Sequence, residues 1–154
     1  MDIIVTYGVG EGMTDLVAFD NALFCAGIAN YNLISMSSII PLHCRVKMKK
    51  FKANNKDYGN KLYIVLSYHT VNQKNCEAWA GLGWMQDKKG KGIFVEEKGF
   101  SKKEVNERIN ATLIGMKSYR KVNFITEGRK LVGKKCNNFS VCASVCAIFK
   151  NESW

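Results

Sequence analysis

Hydrophobic and polar residues alternate with a period of two along most of the chain, which predicts a protein built mainly from β-strands. The segments that carry this pattern are residues 3–7, 61–70, 75–85, 93–97, 122–128 and 139–149. A further strand is expected from residue 31 up to two adjacent serines, and residues 45–52 form a basic segment that alternates only in part. The glycine-rich stretch "GVGEG", residues 8–12, predicts a loop, although it lacks the spacing of a phosphate-binding motif.

The first of two helical segments covers residues 15–26. Thr14 is suited to the N-cap position and Gly27 to the end of the helix. Helical spacing predicts a buried stripe made of Leu16, Phe19, Leu23 and Ala26. We therefore expect one amphipathic helix between the first two strands.

The second helical segment covers residues 102–119, and Ser101 and Glu104 form a capping box at its start. Its apolar stripe consists of Val105, Ile109, Leu113 and Met116. Several strands with two amphipathic helices predict an α+β fold in which each helix covers one face of a sheet. The length of 154 residues suits one domain with a single substantial core.

The net charge of +10 raises the question of a nucleic-acid partner. The basic residues are dispersed over several loops and helix starts, however, and no recognition motif accompanies them, so we expect no nucleic acid as partner. No apolar run approaches the roughly 18 residues that cross a membrane. An acidic residue, Asp2, stands where a signal peptide would carry positive charge, so the sequence predicts a cytoplasmic protein without a membrane partner.

The six cysteines do not have the spacing of a zinc site, because no CxxC pair is present and no histidine lies near Cys142 and Cys146. Five of them stand in apolar or strand-like segments, namely Cys25, Cys44, Cys76, Cys142 and Cys146. Free cysteine behaves there as a small hydrophobic residue. We expect buried, reduced thiols and no metal.

The adjacent serines Ser37 and Ser38 are unusual, since they follow a strand-like segment and precede the only proline, Pro41. On their own they indicate a turn that ends a strand. Their flanks, "FDNALFCAGIANYNLISMSSIIP" at residues 19–41, resemble the pyruvoyl-dependent arginine decarboxylases in the pattern FD-x-A-L, AGI-x-N-x-NLI and SS-I-x-P. A second block, "GIFVEEKGFSKKEVNE" at residues 92–107, resembles the strand, glutamate and helix of that family.

The resemblance implies that the chain breaks its own Ser37–Ser38 peptide bond, which gives a β chain of residues 1–37 and an α chain of residues 38–154. Ser38 would then become a covalent pyruvoyl group that replaces pyridoxal phosphate and forms a Schiff base with the substrate. It also implies the conversion of arginine to agmatine, which would serve either polyamine biosynthesis or acid resistance. Because histidine decarboxylases share a Ser-Ser junction, histidine is the first alternative substrate.

The resemblance further assigns roles to residues of this sequence. Glu96 matches the proton donor, and partial burial at the end of its strand would raise its pKa. Glu97 is a rival, but strand alternation directs the two side chains to opposite faces. Asn32 matches the residue that helps to hold the scissile peptide or its oxyanion. Asp20 matches the carboxylate that binds the guanidinium, near the new carboxylate of Ser37.

The family's fold is a layered αββα sandwich, assembled as a trimer with sites between protomers, so Glu96 could serve the pyruvoyl group of a neighbour. The competing hypothesis from another class is an uncleaved basic binding module, which the charge of +10 would suit.

Overall fold

The computed structural model describes all residues, 1–154, and contains nine β-strands, two α-helices and one short 3-10 turn. The strands are β1 (Asp2–Gly12), β2 (Asn32–Ser35), β3 (Ile39–Ile40), β4 (Arg45–Met48), β5 (Lys61–Val71), β6 (Glu77–Asp87), β7 (Gly92–Gly99), β8 (Phe124–Lys135) and β9 (Ser140–Glu152). The helices are α1 (Asp15–Ala26) and α2 (Lys102–Tyr119). Every predicted strand and both helices are present.

The strands form two sheets that pack face to face. The first has the order β2-β5-β9-β1-β4 and is mixed, since β4 and β2 pair parallel to their neighbours. The second has the order β3-β7-β6-β8 and is antiparallel throughout. Helix α1 packs on the first sheet and α2 on the second. The layers therefore run helix, sheet, sheet, helix, which confirms the α+β class and the αββα sandwich.

Strand β9 shows how the period of two builds these layers. Val141, Ala143 and Val145 belong to the central core between the sheets. The alternate residues Cys142 and Cys146 pack on the other side, with residues of α1. Both faces of the strand are buried, and each aliphatic side chain that leaves water stabilises the fold by about 1.5–3 kcal/mol.

The expected loop at residues 8–12 is wrong, because β1 continues to Gly12. Its glycines lie beneath α1: a Cβ at Gly8 would come within 2.1 Å of the Ala22 carbonyl oxygen, and one at Gly10 within 2.3 Å of the Ala22 nitrogen. The missing side chains let the helix backbone rest directly on the strand. The "GVGEG" stretch therefore serves helix packing.

This close approach also changes the buried face of α1. Its buried residues are Ala18, Ala22, Leu23 and Ala26, whereas Leu16 is 75% exposed, so the predicted stripe is wrong at that position. Only small side chains fit where α1 contacts the glycines of β1. The hydrophobicity pattern does not indicate this restriction on side-chain size. The predicted N-cap is confirmed by the 3.2 Å hydrogen bond from the Val17 N–H to Thr14 Oγ1. Gly27 ends the helix with a φ of 84°.

Helix α2 follows its prediction closely. The Glu104 N–H donates to Ser101 Oγ at 3.1 Å, and Glu104 Oε2 accepts from the Phe100 N–H at 2.8 Å, which satisfies two N–H groups at the start of the helix. Val105, Ile109 and Leu113 are buried, and Met116 packs against them in part. The local signals were sufficient here because capping and stripe agree.

All six cysteines are free, and Cys44, Cys136, Cys142 and Cys146 are buried. Burial raises the pKa of the Cys142 and Cys146 thiols, because the thiolate would lose its hydration. Cys25 is exposed, so the expectation of burial is wrong for that residue. No helix combines the length and apolar character needed to cross a membrane.

Candidate active site

The Ser37–Ser38 peptide lies where the chain crosses from one sheet to the other. Strand β2 ends at Ser35 in the first sheet, and β3 begins at Ile39 in the second. The Met36 N–H donates to the Ile64 carbonyl at 2.7 Å, and the Phe94 N–H donates to the Ser38 carbonyl at 2.8 Å. The short crossing is therefore held to β5 on one side and to β7 on the other.

Ser38 has a φ of 65°, in the left-handed region that residues with a Cβ rarely adopt. Such a conformation costs roughly 1–2 kcal/mol, and it persists only where neighbouring contacts enforce it. The backbone hydrogen bond from Phe94 and the pairing of β3 with β7 supply those contacts. The backbone is thus strained at the serine whose peptide bond the family resemblance singles out.

The Ser38 hydroxyl donates a 2.6 Å hydrogen bond to Glu96 Oε1. A distance this short is typical of a hydroxyl bound to a carboxylate. Glu96 lies on β7, two residues beyond Phe94, so the same strand holds both the backbone and the side chain of Ser38. Glu96 is exposed, however, and the partial burial expected for it is not found in the single chain.

Glu97 points away from this site. Its Oε1 accepts a 2.7 Å hydrogen bond from Thr112 Oγ1 on α2, and its carbonyl accepts one from Ser67 Oγ at 2.7 Å. The alternation of β7 therefore gives Glu96 to the serine pair and Glu97 to the helix.

Ser37 is exposed, and its carbonyl oxygen accepts no hydrogen bond from another residue of the chain. This is the carbonyl that a nucleophilic Ser38 hydroxyl would attack. A negative charge that develops on its oxygen would have no donor within the single chain.

The structure does not bring Asn32 to the serine pair. Its Nδ2 donates to the Gly59 carbonyl at 2.6 Å, at the far end of β2 from the crossing. Asn32 lies three positions before Ser35 along the strand, which corresponds to about 10 Å at roughly 3.3 Å per position. Within one chain, Asn32 fixes the turn that precedes β5.

Asp20 also lies apart from Ser38 and Glu96. It is exposed on α1, which packs on β1, β9 and β5, and it forms no ion pair within the chain. It stands in a stripe of exposed apolar residues at helical spacing, which we call the α1 stripe. Its apolar members are Met13, Leu16, Val17 and Phe24, exposed by 84%, 75%, 52% and 68%. The same spacing had suggested that Leu16 was buried.

An apolar cavity of about 270 Å³ lies beside the β3–β7 pair that follows Ser38. Ile39, Ile93 and Phe124 line it, and so do the basic residues Arg120 and Lys121. The larger cleft of about 700 Å³, around His43 and Gln86, contains no residue of the serine site. No group of three or more His, Cys, Asp or Glu side chains is arranged to hold a metal ion.

Residues 2–151 match the family model described as pyruvoyl-dependent arginine decarboxylase. The chain is similar to the Pyrococcus horikoshii protein of that name, with 31% identity over 143 residues, 92% of this chain and 82% of the relative. It is 37% identical over 105 residues to the Thermoplasma volcanium protein of the same name.

The second alignment covers 67% of this chain and 58% of the Thermoplasma protein, so the chain spans little more than half of that relative. The family match nevertheless includes both helices and all strands except the last residue of β9, together with the Ser37–Ser38 crossing and Glu96. The chain belongs to the pyruvoyl-dependent arginine decarboxylase family.

Proposed function

We propose that this protein is a self-processing carboxy-lyase that converts L-arginine to agmatine and carbon dioxide. The Ser38 hydroxyl carries the proposal, because it belongs to a strained residue and donates to a carboxylate. Cleavage before Ser38 would give a β chain of residues 1–37 and an α chain of residues 38–154. The α chain would begin with a pyruvoyl group derived from Ser38, and neither a metal ion nor pyridoxal phosphate would be needed.

Self-cleavage begins when Ser38 Oγ forms a bond to the carbonyl carbon of Ser37 and the C–N bond of that peptide breaks. The amide becomes an ester, and the amino group of residue 38 is freed. Loss of the Cα proton then breaks the Cβ–Oγ bond, so Ser37 leaves as a carboxylate and residue 38 becomes dehydroalanine. Its imine tautomer takes up water and releases ammonia, which leaves the pyruvoyl group.

Glu96 is placed to take the proton of the Ser38 hydroxyl in the first of these steps. Its Oε1 already accepts the hydrogen bond from Ser38 Oγ, and the two oxygens lie 2.6 Å apart. The proton would therefore move along this existing hydrogen bond. The positive φ of Ser38 adds strain that breaking the peptide would relieve.

The pyruvoyl group supplies the electron-withdrawing carbonyl that makes loss of carbon dioxide from a bound amino acid possible. The protein must then deliver one proton to the carbon that lost the carboxylate. A protonated Glu96 at the same place would supply it, as the family resemblance implies. The β3–β7 pairing would keep residue 38 beside Glu96 after the cut.

The dispersed positions of Asp20 and Asn32 support a homotrimer whose sites combine residues of neighbouring protomers. An apolar stripe on an exposed helix is costly in water and suits contact with a second copy of the chain. Covering the α1 stripe would carry Asp20 into the interface, where it could face the guanidinium of arginine. A neighbour could likewise place Asn32 beside the Ser37 carbonyl.

Free cysteines without a disulfide are typical of reducing compartments, which supports a cytoplasmic location. Agmatine formation there would suit polyamine biosynthesis.

Intact mass spectrometry of the purified protein tests the cleavage. We expect two fragments that meet at Ser37–Ser38, with the larger one lighter by one ammonia than a hydrolysis product. Ser38→Ala removes the nucleophile and should stay intact and inactive. Ser37→Ala is the matched control and should still cleave, because its hydroxyl takes no part.

A wild-type chain that stays in one piece would refute the proposal and leave the uncleaved basic binding module. Carbon dioxide release from arginine and from histidine, measured side by side on the cleaved protein, decides the substrate. Faster release from histidine would refute arginine while leaving self-cleavage intact.

A further inference from the structure

A third pocket opens at the edge of the sandwich, between β1 and β8. It has a volume of about 430 Å³ and an apolar wall that includes Val9, Trp79 and Leu131. Strand β4 pairs only with the first residues of β1, Asp2 to Val5, so the later part of β1 is open on this side. The pocket therefore has direct access to solvent.

Two lysines meet over the ring of Tyr7: Lys50, which lines the pocket together with Tyr7, and Lys130, which reaches the ring from β8. Lys50 Nζ lies 4.2 Å from the centre of the Tyr7 ring, and Lys130 Nζ lies 3.8 Å from it. The two ammonium groups can therefore be no more than about 8 Å apart. A third cation, Lys102, lines the same pocket.

Neither ammonium group over Tyr7 has a carboxylate partner. Lys50 donates to the backbone carbonyls of Tyr7 and Cys25, at 2.5 and 3.2 Å, and Lys130 forms no ion pair. The acidic residue on this part of β1, Glu11, is paired with Lys134 at 3.8 Å. Two cations are thus held close together with their charges uncompensated, and an anion that contacts both would relieve the repulsion.

We propose that this pocket binds a small anion that carries an apolar or aromatic body. Its carboxylate or phosphate group would accept from Lys50 and Lys130 beside Tyr7, while its body would lie against Val9 and Val132, which line the pocket on the same side as Tyr7. The cationic substrate and product proposed above have the wrong charge for it. The pocket is also remote from Ser38, since β8 and β3 are the opposite edges of the second sheet.

Isothermal titration calorimetry with phenyl phosphate as the probe tests this site on the full protein. We expect one molecule bound per chain, at least 10-fold more tightly than inorganic phosphate or phenol, because only the ester offers both charge and ring. Addition of about 1 M salt should weaken the binding, because it screens the attraction between the anion and the lysines. No binding of the probe would overturn the proposal, as would displacement of the probe by arginine.

Lys130→Met removes one cation and keeps the length of the side chain, so the dissociation constant should rise at least 10-fold. Lys103→Met is the matched control, since that lysine is exposed on α2 and pairs only with Glu107; its binding should equal that of the wild type. Equal binding by Lys130→Met and Lys103→Met would overturn the proposal.

Cys25 gives a second readout that needs no substitution. Cys25 is exposed and lines the same pocket, so phenyl phosphate should slow alkylation of its thiol by iodoacetamide, as mapped by peptide mass spectrometry. Unchanged alkylation at saturating probe would place the anion elsewhere and refute this site. Cleavage at Ser37–Ser38 should be the same in Lys130→Met and wild type, so failure here is distinguishable from failure of the proposed lyase activity.

Discussion

Ser38 Oγ and Glu96 Oε1 lie 2.6 Å apart, although 58 residues separate them in the chain. The contact places one carboxylate beside the atom that would start self-cleavage and beside the residue that would carry the keto group afterwards. The two chemistries of the proposed enzyme therefore share one acid–base group. From sequence alone Glu96 was assigned only to the second of them, and the hydrogen bond adds the first.

Glu96→Gln should slow both reactions, because the amide can neither accept the Ser38 proton as a base nor donate a carboxylic proton. We expect turnover of arginine to fall by about 10²–10⁴, the usual contribution of a positioned acid, and cleavage to take measurably longer. Gel densitometry over time gives the cleavage rate, and agmatine formation per cleaved chain gives the turnover. Normal cleavage with slow turnover would limit Glu96 to decarboxylation.

Glu97→Gln is the matched control for Glu96→Gln. Its carboxylate bonds Thr112 on α2, so the variant should cleave and turn over arginine like the wild type. If Glu97→Gln proved inactive and Glu96→Gln active, the assignment of the two carboxylates would be reversed.

Asp20→Asn should lower kcat/KM for arginine by about 10²-fold while leaving cleavage unchanged. The amide keeps the shape of the side chain but loses the charge that would face the guanidinium. The measurement is agmatine formation over a range of arginine concentrations. Wild-type kinetics would return Asp20 to an ordinary solvent-exposed role.

Phe24→Lys should break the proposed trimer, because it puts a charge into the α1 stripe. Light scattering after size-exclusion chromatography should give the mass of one protomer, and arginine turnover should fall with it. Ile114→Lys is the control: Ile114 is equally exposed, at 68%, but lies on α2 outside the stripe. A Phe24→Lys protein that is still trimeric would show that this helix does not form the interface.

Gly10→Ala should destabilise the fold, since the new Cβ would lie 2.3 Å from the Ala22 nitrogen and would push α1 off the sheet. We expect a loss of about 1–3 kcal/mol or more in the free energy of unfolding, as in other overpacked sites. Gly115→Ala, where no atom lies within 4 Å, should instead stabilise α2 by roughly 0.5–1 kcal/mol. Urea unfolding gives the free energy of unfolding of both variants. It shows whether alanine is destabilising only where the helix lies close to the glycine, or at any glycine of the fold.

Glu152 links the ends of β5 and β9, and its hydrogen bonds with Lys150 and Lys61 lower its pKa from 4.5 to about 2. A carboxyl whose pKa is depressed in the folded state stabilises it above the unfolded pKa and loses that effect as the pH falls toward 2. Glu152→Gln should therefore melt below the wild type at pH 7, and the difference in Tm should shrink between pH 5 and pH 2. A constant difference would mean that charge is not its cause.

The parts of the fold that depend on neighbouring residues in the chain were predictable. Helix α2 begins and ends where its capping box and stripe indicate, because these signals act within a few residues. Strand β1 and the buried face of α1 were predicted incorrectly for a shared reason. The sequence pattern predicts a loop at Gly8 and Gly10, whereas these glycines allow a close helix contact that places alanines, and not Leu16, on the buried face of α1.

The candidate active site was likewise predictable only in part. The Ser37–Ser38 pair and Glu96 could be identified from sequence because they resemble family motifs. The positive φ of Ser38 and the hydrogen bond from the Phe94 N–H to its carbonyl could not be predicted, since both depend on β3 joining the second sheet. The distance of Asn32 and Asp20 from Ser38 was not predictable either, because it follows from which layer each element joins.

The position of β1 in its sheet has a consequence for the cleaved molecule. Both neighbours of β1, β9 and β4, lie after residue 38, and Ile3 and Val5 are completely buried. Cleavage of the Ser37–Ser38 bond would thus leave residues 1–37 as a separate peptide whose strand β1 pairs on both sides with strands of the other fragment. Such a peptide cannot diffuse away or exchange between molecules unless the whole domain unfolds. The cleaved protein would therefore keep its fold although one covalent bond is lost.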